Sequence, residues 1–186
     1  RENPRLGVGL HLTLVMGRAA LPPETIPGLV DVAGRFSDNP ADLGMKLFFR
    51  RSLREQLCAE IAAQFEKFHA TGLPLDHVNG HLNIHLHPTV FAILMENADR
   101  LGIRRMRLTR DRFWLNARIA SGQWLYRLSH AVIFNLLSAW ARPQLRRKNI
   151  RYTGAVFGLL QNARVYEDYL LQLLPRLPEG DSELYS

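Results

Sequence analysis

Two stretches of this chain alternate strictly between apolar and polar or small residues. From Leu6 to Val15 the even positions 8, 10, 12 and 14 are Val, Leu, Leu and Leu, and the odd positions 7, 9, 11 and 13 are Gly, Gly, His and Thr. From His77 to Pro88 every odd position up to 87 is His or Asn, and the even positions are Val, Gly, Leu, Ile and Leu. Side chains on an extended chain point alternately to two faces, so a period of two predicts a strand with one apolar face. The first stretch predicts a strand carrying His11. The second predicts a strand over Pro74–His81 with His77, Asn79 and His81 on one face, joined by His85 if the chain stays extended.

Elsewhere the apolar period lengthens. Leu43, Leu47, Leu53, Leu57, Ile61, Phe65 and Phe68 recur at helical spacing, which predicts a helix over 41–71 stopped by Gly72. Pro88 suits the first position of a further helix running to about Leu101 and ending at Gly102. Residues 17–40 are rich in Pro and Gly and read as a long loop, a feature often tied to function. Short strands are predicted at 103–109, 152–160 and 182–186, an amphipathic helix at 162–174, and a mostly helical stretch at 112–148. Strands alternating with helices define an α/β fold with mostly parallel strands, an open sheet or a barrel, whose sites lie at the carboxyl ends of the strands. His11 and His81 both fall near such ends.

Composition narrows the chemistry. The chain has 186 residues, 47% hydrophobic and 22% charged, as for an ordinary globular domain. Cys58 is the single cysteine, which excludes an intrachain disulfide and a cysteine-built zinc cluster, and it reads as a small core residue. The net charge of +7 suits anionic surfaces, and an ordinary solvated basic surface is the other reading. All three tryptophans lie in 112–148, followed by Arg142, Arg146, Arg147, Lys148 and Arg151. Apolar-aromatic helix beside an arginine cluster is the composition of a helix that rests on a membrane surface, and a core helix with a solvated basic end is the other reading. The most apolar run, 131–141, is about half the roughly 20 residues that a span requires. The chain begins at Arg1 without a signal-peptide pattern and stops at Ser186 as a strand begins, so it reads as part of a longer, cytoplasmic protein, with peripheral membrane contact through 112–148 the open addition.

Four of the seven histidines lie between residues 77 and 87. Imidazole is the commonest metal ligand and an acid or base near neutrality. Two imidazoles from neighbouring parallel strands, completed by an acidic ligand, make a hydrolytic metal site with room for water. His69 and His130 fall inside helical stretches and read as structural.

Gly-Leu-His-Leu-Thr-Leu at 9–14, the Pro-rich loop after it, and the segment 77–88 together resemble the YdjC-like carbohydrate deacetylases, most closely the hopanoid-biosynthesis-associated members. The ending Leu-Pro-Glu-Gly-Asp-Ser-Glu-Leu-Tyr-Ser is similar to their last segment. The resemblance implies an incomplete (β/α) barrel-like deacetylase fold in a single truncated domain, 1–186, with a helical insertion near 112–148. It implies removal of an N-acetyl group from an amino sugar, on an oligosaccharide or a hopanoid-linked glycolipid, with one divalent metal, zinc or magnesium. His11 and His81 would be the metal ligands, His85 a site-lining and candidate catalytic residue, and Asn79 and Arg107 substrate-binding.

This chain departs from the family's pattern in three places. The family's Asp-Asp pair, which supplies a metal ligand and the general base, has no counterpart here. Its late His-Pro, the source of the general acid, would fall beyond Ser186. Its Asp-Ser pair is Asn79-Gly80. The resemblance therefore implies that this chain alone is inactive and binds metal weakly. The rival readings are a phosphoesterase, which needs more carboxylates than Asp76 and Asp111 near the motifs, and a non-catalytic basic module for membrane or nucleic acid. No nucleic-acid motif is present, and no nucleic-acid partner is expected.

Overall fold

Strands β1 (Val8–Leu12) and β2 (Leu75–Gly80) pair in parallel, with His11 opposite Asn79 and Leu12 opposite Gly80. A parallel pair needs a crossover, and the sequence supplies the loop 17–40 and two helices, α1 (Pro40–Phe49) and α2 (Arg54–His69). A third strand, β3 (Arg105–Met106), lies parallel to β2 through Val78 and Met106. The computed structural model describes Asn3 and residues 6–161 and 165–185. Its contacts divide into two compact units, Arg1–Met106 with Lys148–Ile150, and Arg107–Arg147 with Arg151–Ser186.

In the first unit, α1 starts as its sequence dictates. The Asn39 side chain accepts hydrogen bonds from the N–H groups of Ala41 and Asp42, and Pro40 fills the first helical position. Helix α2 buries Leu57, Ile61, Phe65 and Phe68. Helix α3 (Pro88–Glu96) buries Val90, Phe91, Ile93, Leu94 and Met95. Leu12, Val78 and Met106 of the strands are buried too. The loop 17–40 folds on itself through antiparallel bridges, Arg18 to Arg35 and Val30 to Phe36, and buries Ile26, Leu29 and Phe36. Cys58 is half-buried on α2, and burial pushes its thiol pKa up.

The second unit holds α4 (Phe113–Ile119), α5 (Trp124–Arg147), β4 (Arg151–Tyr152), β5 (Ala155–Phe157), α6 (Glu167–Leu173) and β6 (Ser182–Leu184). Strands β5 and β6 are parallel, with Val156 opposite Glu183. Ile119, Ala155, Phe157, Tyr169 and Leu173 form a core here, with Leu115, Val165 and Leu170 against it. The fold is thus α/β with mostly parallel strands, as the alternation of strands and helices predicts.

Several boundaries differ from the sequence expectation. The helix expected over 41–71 is two helices, because Arg50 leaves helical geometry (φ −97°, ψ 86°) and a short 3-10 turn follows at 51–53. The stretch 112–148 is likewise interrupted, where Ala120 is extended and Gly122 and Gln123 have positive φ. The strand expected over 152–160 is two short strands. The helix expected from 162 begins, within the described residues, at Glu167, and residues 162–164 and 186 of the last two expected elements lie outside them. Among the described residues no helix is long and apolar enough to cross a membrane.

Candidate metal centre

The parallel register of β1 and β2 sets the geometry. His11 and Asn79 are directly opposed, and the His11 Nδ1 lies 2.7 Å from the Asn79 Oδ1. An amide oxygen only accepts, so His11 Nδ1 carries the proton and donates it, leaving Nε2 as an acceptor. That Nε2 lies 3.4 Å from Nδ1 of His81, the first residue beyond the end of β2. The two rings meet edge to face, 5.6 Å between centroids and 79° between planes. Partial desolvation, and next the neighbouring His11, lower the pKa of His81. Near neutral pH its ring is therefore uncharged, the form that binds metal.

Two nitrogens bound to one tetrahedral zinc at ~2.0–2.1 Å would stand about 3.3–3.4 Å apart. The His11–His81 separation matches that edge, so the pair fits as two ligands of one cation. Among the described residues no group of three or more His, Cys, Asp or Glu converges on a point.

The extended pattern does not continue past Gly80. Residues 81–86 form a 3-10 turn in which Leu82 (φ 47°) and Asn83 (φ 58°) are both left-handed. His85 therefore does not share the strand face of Asn79, as continued alternation would require. It is fully buried, and its ring packs over Gly80. A Cβ at position 80 would stand 3.0 Å from both the backbone N and Nδ1 of His85, so glycine lets the turn fold back tightly. Such left-handed non-glycine pairs are costly and cluster at functional sites. His77 turns over β1: a Cβ on Gly9 would be 2.5 Å from its Nε2. Its Nδ1 lies 3.1 Å from Asp76, which also pairs with Arg105.

Arg107 belongs to the second unit. It is largely buried, its guanidinium pairs with Glu183 (Nε to Oε1, 2.8 Å), and it lies over the Tyr185 ring. Of the residues singled out in the sequence, the structure brings together His11, Asn79 and His81, and sets His85 against the end of their strand.

The sequence pattern missed what holds β1 in place. Glu60, fully buried on α2, accepts hydrogen bonds from the N–H groups of Ala20 (2.8 Å) and Leu21 (3.0 Å) and from Gln64 (2.8 Å). Gln64 in turn grips both the N–H and the C=O of Thr13, two residues beyond His11. The available signal was a Glu and a Gln four residues apart inside the apolar stripe of a helix, where an unpartnered polar group is too costly to persist.

Parallel strands with two imidazoles at their carboxyl tips, and an amide fixing one tautomer, are the site geometry of this α/β protein. All 186 residues match the family model described as YdjC-like protein, and the chain belongs to the YdjC-like family. It is 33% identical over 99 residues to the carbohydrate deacetylase of Brevibacillus brevis (53% of this chain, 37% of that protein). It is 35% identical over 113 residues to the carbohydrate deacetylase of Geobacillus stearothermophilus (59% and 42%). A chitooligosaccharide deacetylase of Yersinia enterocolitica is 33% identical over 99 residues (50% and 35%). In each case the match spans roughly two fifths of the relative's length. The solved structure of an Enterococcus faecalis protein named for cellobiose-phosphate cleavage superposes with a TM-score of 0.61 at 21% identity, over 97% of this chain and 59% of that one. That likeness concerns the fold.

Proposed function

We propose that this chain carries part of the metal centre of a carbohydrate N-deacetylase, an amide hydrolase acting on an N-acetylated amino sugar. The supporting observation is the approach of His11 Nε2 to His81 Nδ1 with Asn79 fixing the His11 tautomer. His11 and His81 would hold one divalent cation. Two imidazoles favour zinc over magnesium, which prefers oxygen ligands. When bound, such a cation polarises an acyl carbonyl and acidifies a water. Asn79 holds His11 in register and is the candidate for contact with a substrate hydroxyl. His85, buried against Gly80, lines the turn from which His81 projects and is the candidate catalytic imidazole. Arg107, oriented by Glu183, is the substrate-binding candidate of the second unit. The names of the relatives support an oligosaccharide substrate, and the likeness to hopanoid-associated members extends the proposal to an amino sugar on a glycolipid.

The test is a zinc titration of the chain and of His11→Ala and His81→Ala, followed by calorimetry and by metal content after dialysis. With two protein ligands, binding is expected to be weak but saturable, and each substitution should abolish it. Equal zinc binding by the parent and the double variant would overturn the assignment. Acetate release from an N-acetylated chitooligosaccharide that survived both substitutions would overturn it equally.

A further inference from the structure

Helix α5 buries one side, through Arg127, Ala131, Ser138, Ala141 and Leu145, a spacing of three to four residues. The opposite side should then be polar, and it is not. Leu125, Leu128, Val132, Ile133, Leu136 and Trp140 are exposed, retaining from 42% to 83% of their surface. Ser129, Asn135 and Ala139 lie among them, and from Leu128 to Ala141 no residue is Asp, Glu, Lys or Arg. From Leu125 to Trp140 this uncharged face extends about 22 Å along the helix. A continuous apolar face of that length on a helix marks a surface that binds something.

The charge around it says what. From Arg112 to Tyr166 the sequence holds nine Arg or Lys residues and no Asp or Glu. Arg142, Arg146 and Arg147 occupy the last turns of α5, beyond the apolar face. A second copy of the chain is disfavoured as the occupant, because it would bring the same unbalanced positive charge. A nucleic acid would meet the arginines but leave the leucines, valine and isoleucine without apolar partners. An anionic bilayer satisfies both features: headgroups meet the basic end, and the acyl boundary accepts the apolar side chains. α5 lies too short of apolar residues to cross a membrane. We infer that the exposed face of α5 is a peripheral docking surface for an anionic lipid bilayer. This inference is independent of the metal centre and of the proposed activity.

The experiment is flotation of the whole chain with vesicles of phosphatidylcholine alone and of phosphatidylcholine with phosphatidylserine. The chain should float with the anionic vesicles and much less with the neutral ones. Leu128→Asp with Leu136→Asp should reduce partition by tenfold or more, on the order expected for two lost apolar insertions. Arg146→Gln with Arg147→Gln should reduce it roughly thirtyfold at low salt. All four positions are solvent-exposed, and circular dichroism and thermal melting of the variants should match the parent. Failure to float with either vesicle overturns the inference, as does undiminished flotation of the double Asp variant. A dimer in light scattering that the Asp pair abolishes would assign the face to a second copy, and tighter retention on RNA than on anionic vesicles would assign it to nucleic acid. Either result also overturns the inference.

Discussion

Each unit of this protein contains a polar cluster, and the two are built on opposite plans. In the first, His11, Asn79 and His81 sit at the tips of two parallel strands, and His11 is solvent-exposed. A short hydrogen bond from His11 to Asn79 fixes the arrangement, and the contact between the two imidazoles is long and open to solvent. In the second, Asp111, Asn116, Gln161 and Arg127 are buried and interlocked. Asn116 and the Leu160 N–H donate to Asp111, Gln161 and the Tyr169 hydroxyl donate to Asn116, and Arg127 donates to Gln161. Every carbonyl and carboxylate oxygen of that set has a donor. A buried network pairs nearly all its groups because water cannot finish it, and here only the Arg127 Nε–H of that set lacks an acceptor, whereas a site stays open to solvent. Reactive-looking residues alone do not separate the two plans, and the bookkeeping of donors and acceptors does.

The sharpest way to break this contrast is to open the closed supports of the open site. Glu60→Ala removes the acceptor for two backbone N–H groups and for Gln64, and should cost about 3–4 kcal/mol of stability. Urea unfolding measures it. A cost below about 1 kcal/mol would show that the loop after β1 needs no such anchor.

The next test addresses the closed network through pH. Burial, only partly offset by its hydrogen bonds, pushes the Asp111 carboxyl from 3.8 up to about 6. The folded state therefore holds this proton more tightly than the unfolded chain. The associated stability is complete below about pH 4 and is lost as the pH rises through about 6, by about 2–3 kcal/mol in all. Melting of the parent at about pH 4.5 and about pH 7.5, set against Asp111→Asn, isolates this contribution. The variant should depend less on pH across that interval. Identical slopes would mean that Asp111 is not held protonated.

The mildest test concerns the tautomer. Asn79→Ala should leave the fold intact and weaken zinc binding about 10- to 100-fold, the usual effect of losing a ligand's orienting partner. Asn79→Asp should restore the bond to His11 and recover the affinity. If the two variants bind zinc alike, the hydrogen bond does not orient His11.

How much of this was legible beforehand differs between the two clusters for a physical reason. His11, Asn79 and His81 announce themselves because a strand writes its faces into alternate letters, and a polar face made of His and Asn is unusual. The closed network left no such trace. Asn116 and Gln161 are 45 residues apart and Asn116 and Tyr169 are 53 apart, and only folding brings them together. His85 was misplaced for a third reason. The alternation of letters continues through residue 87, but the backbone abandons it at Leu82 and Asn83, where two left-handed residues override the pattern. The helix breaks at 50–53 and 120–123 were hidden in the same way, by local dihedrals inside an otherwise regular apolar period.

The grip of Gln64 on both backbone groups of Thr13 ties the tip of β1 to the rotation and height of α2. A substitution deep in the helix, at Phe65 or Ile61, would thus be transmitted through one amide to the imidazole two residues upstream. Damage at such positions should register in cation capture as well as in a lowered melting temperature.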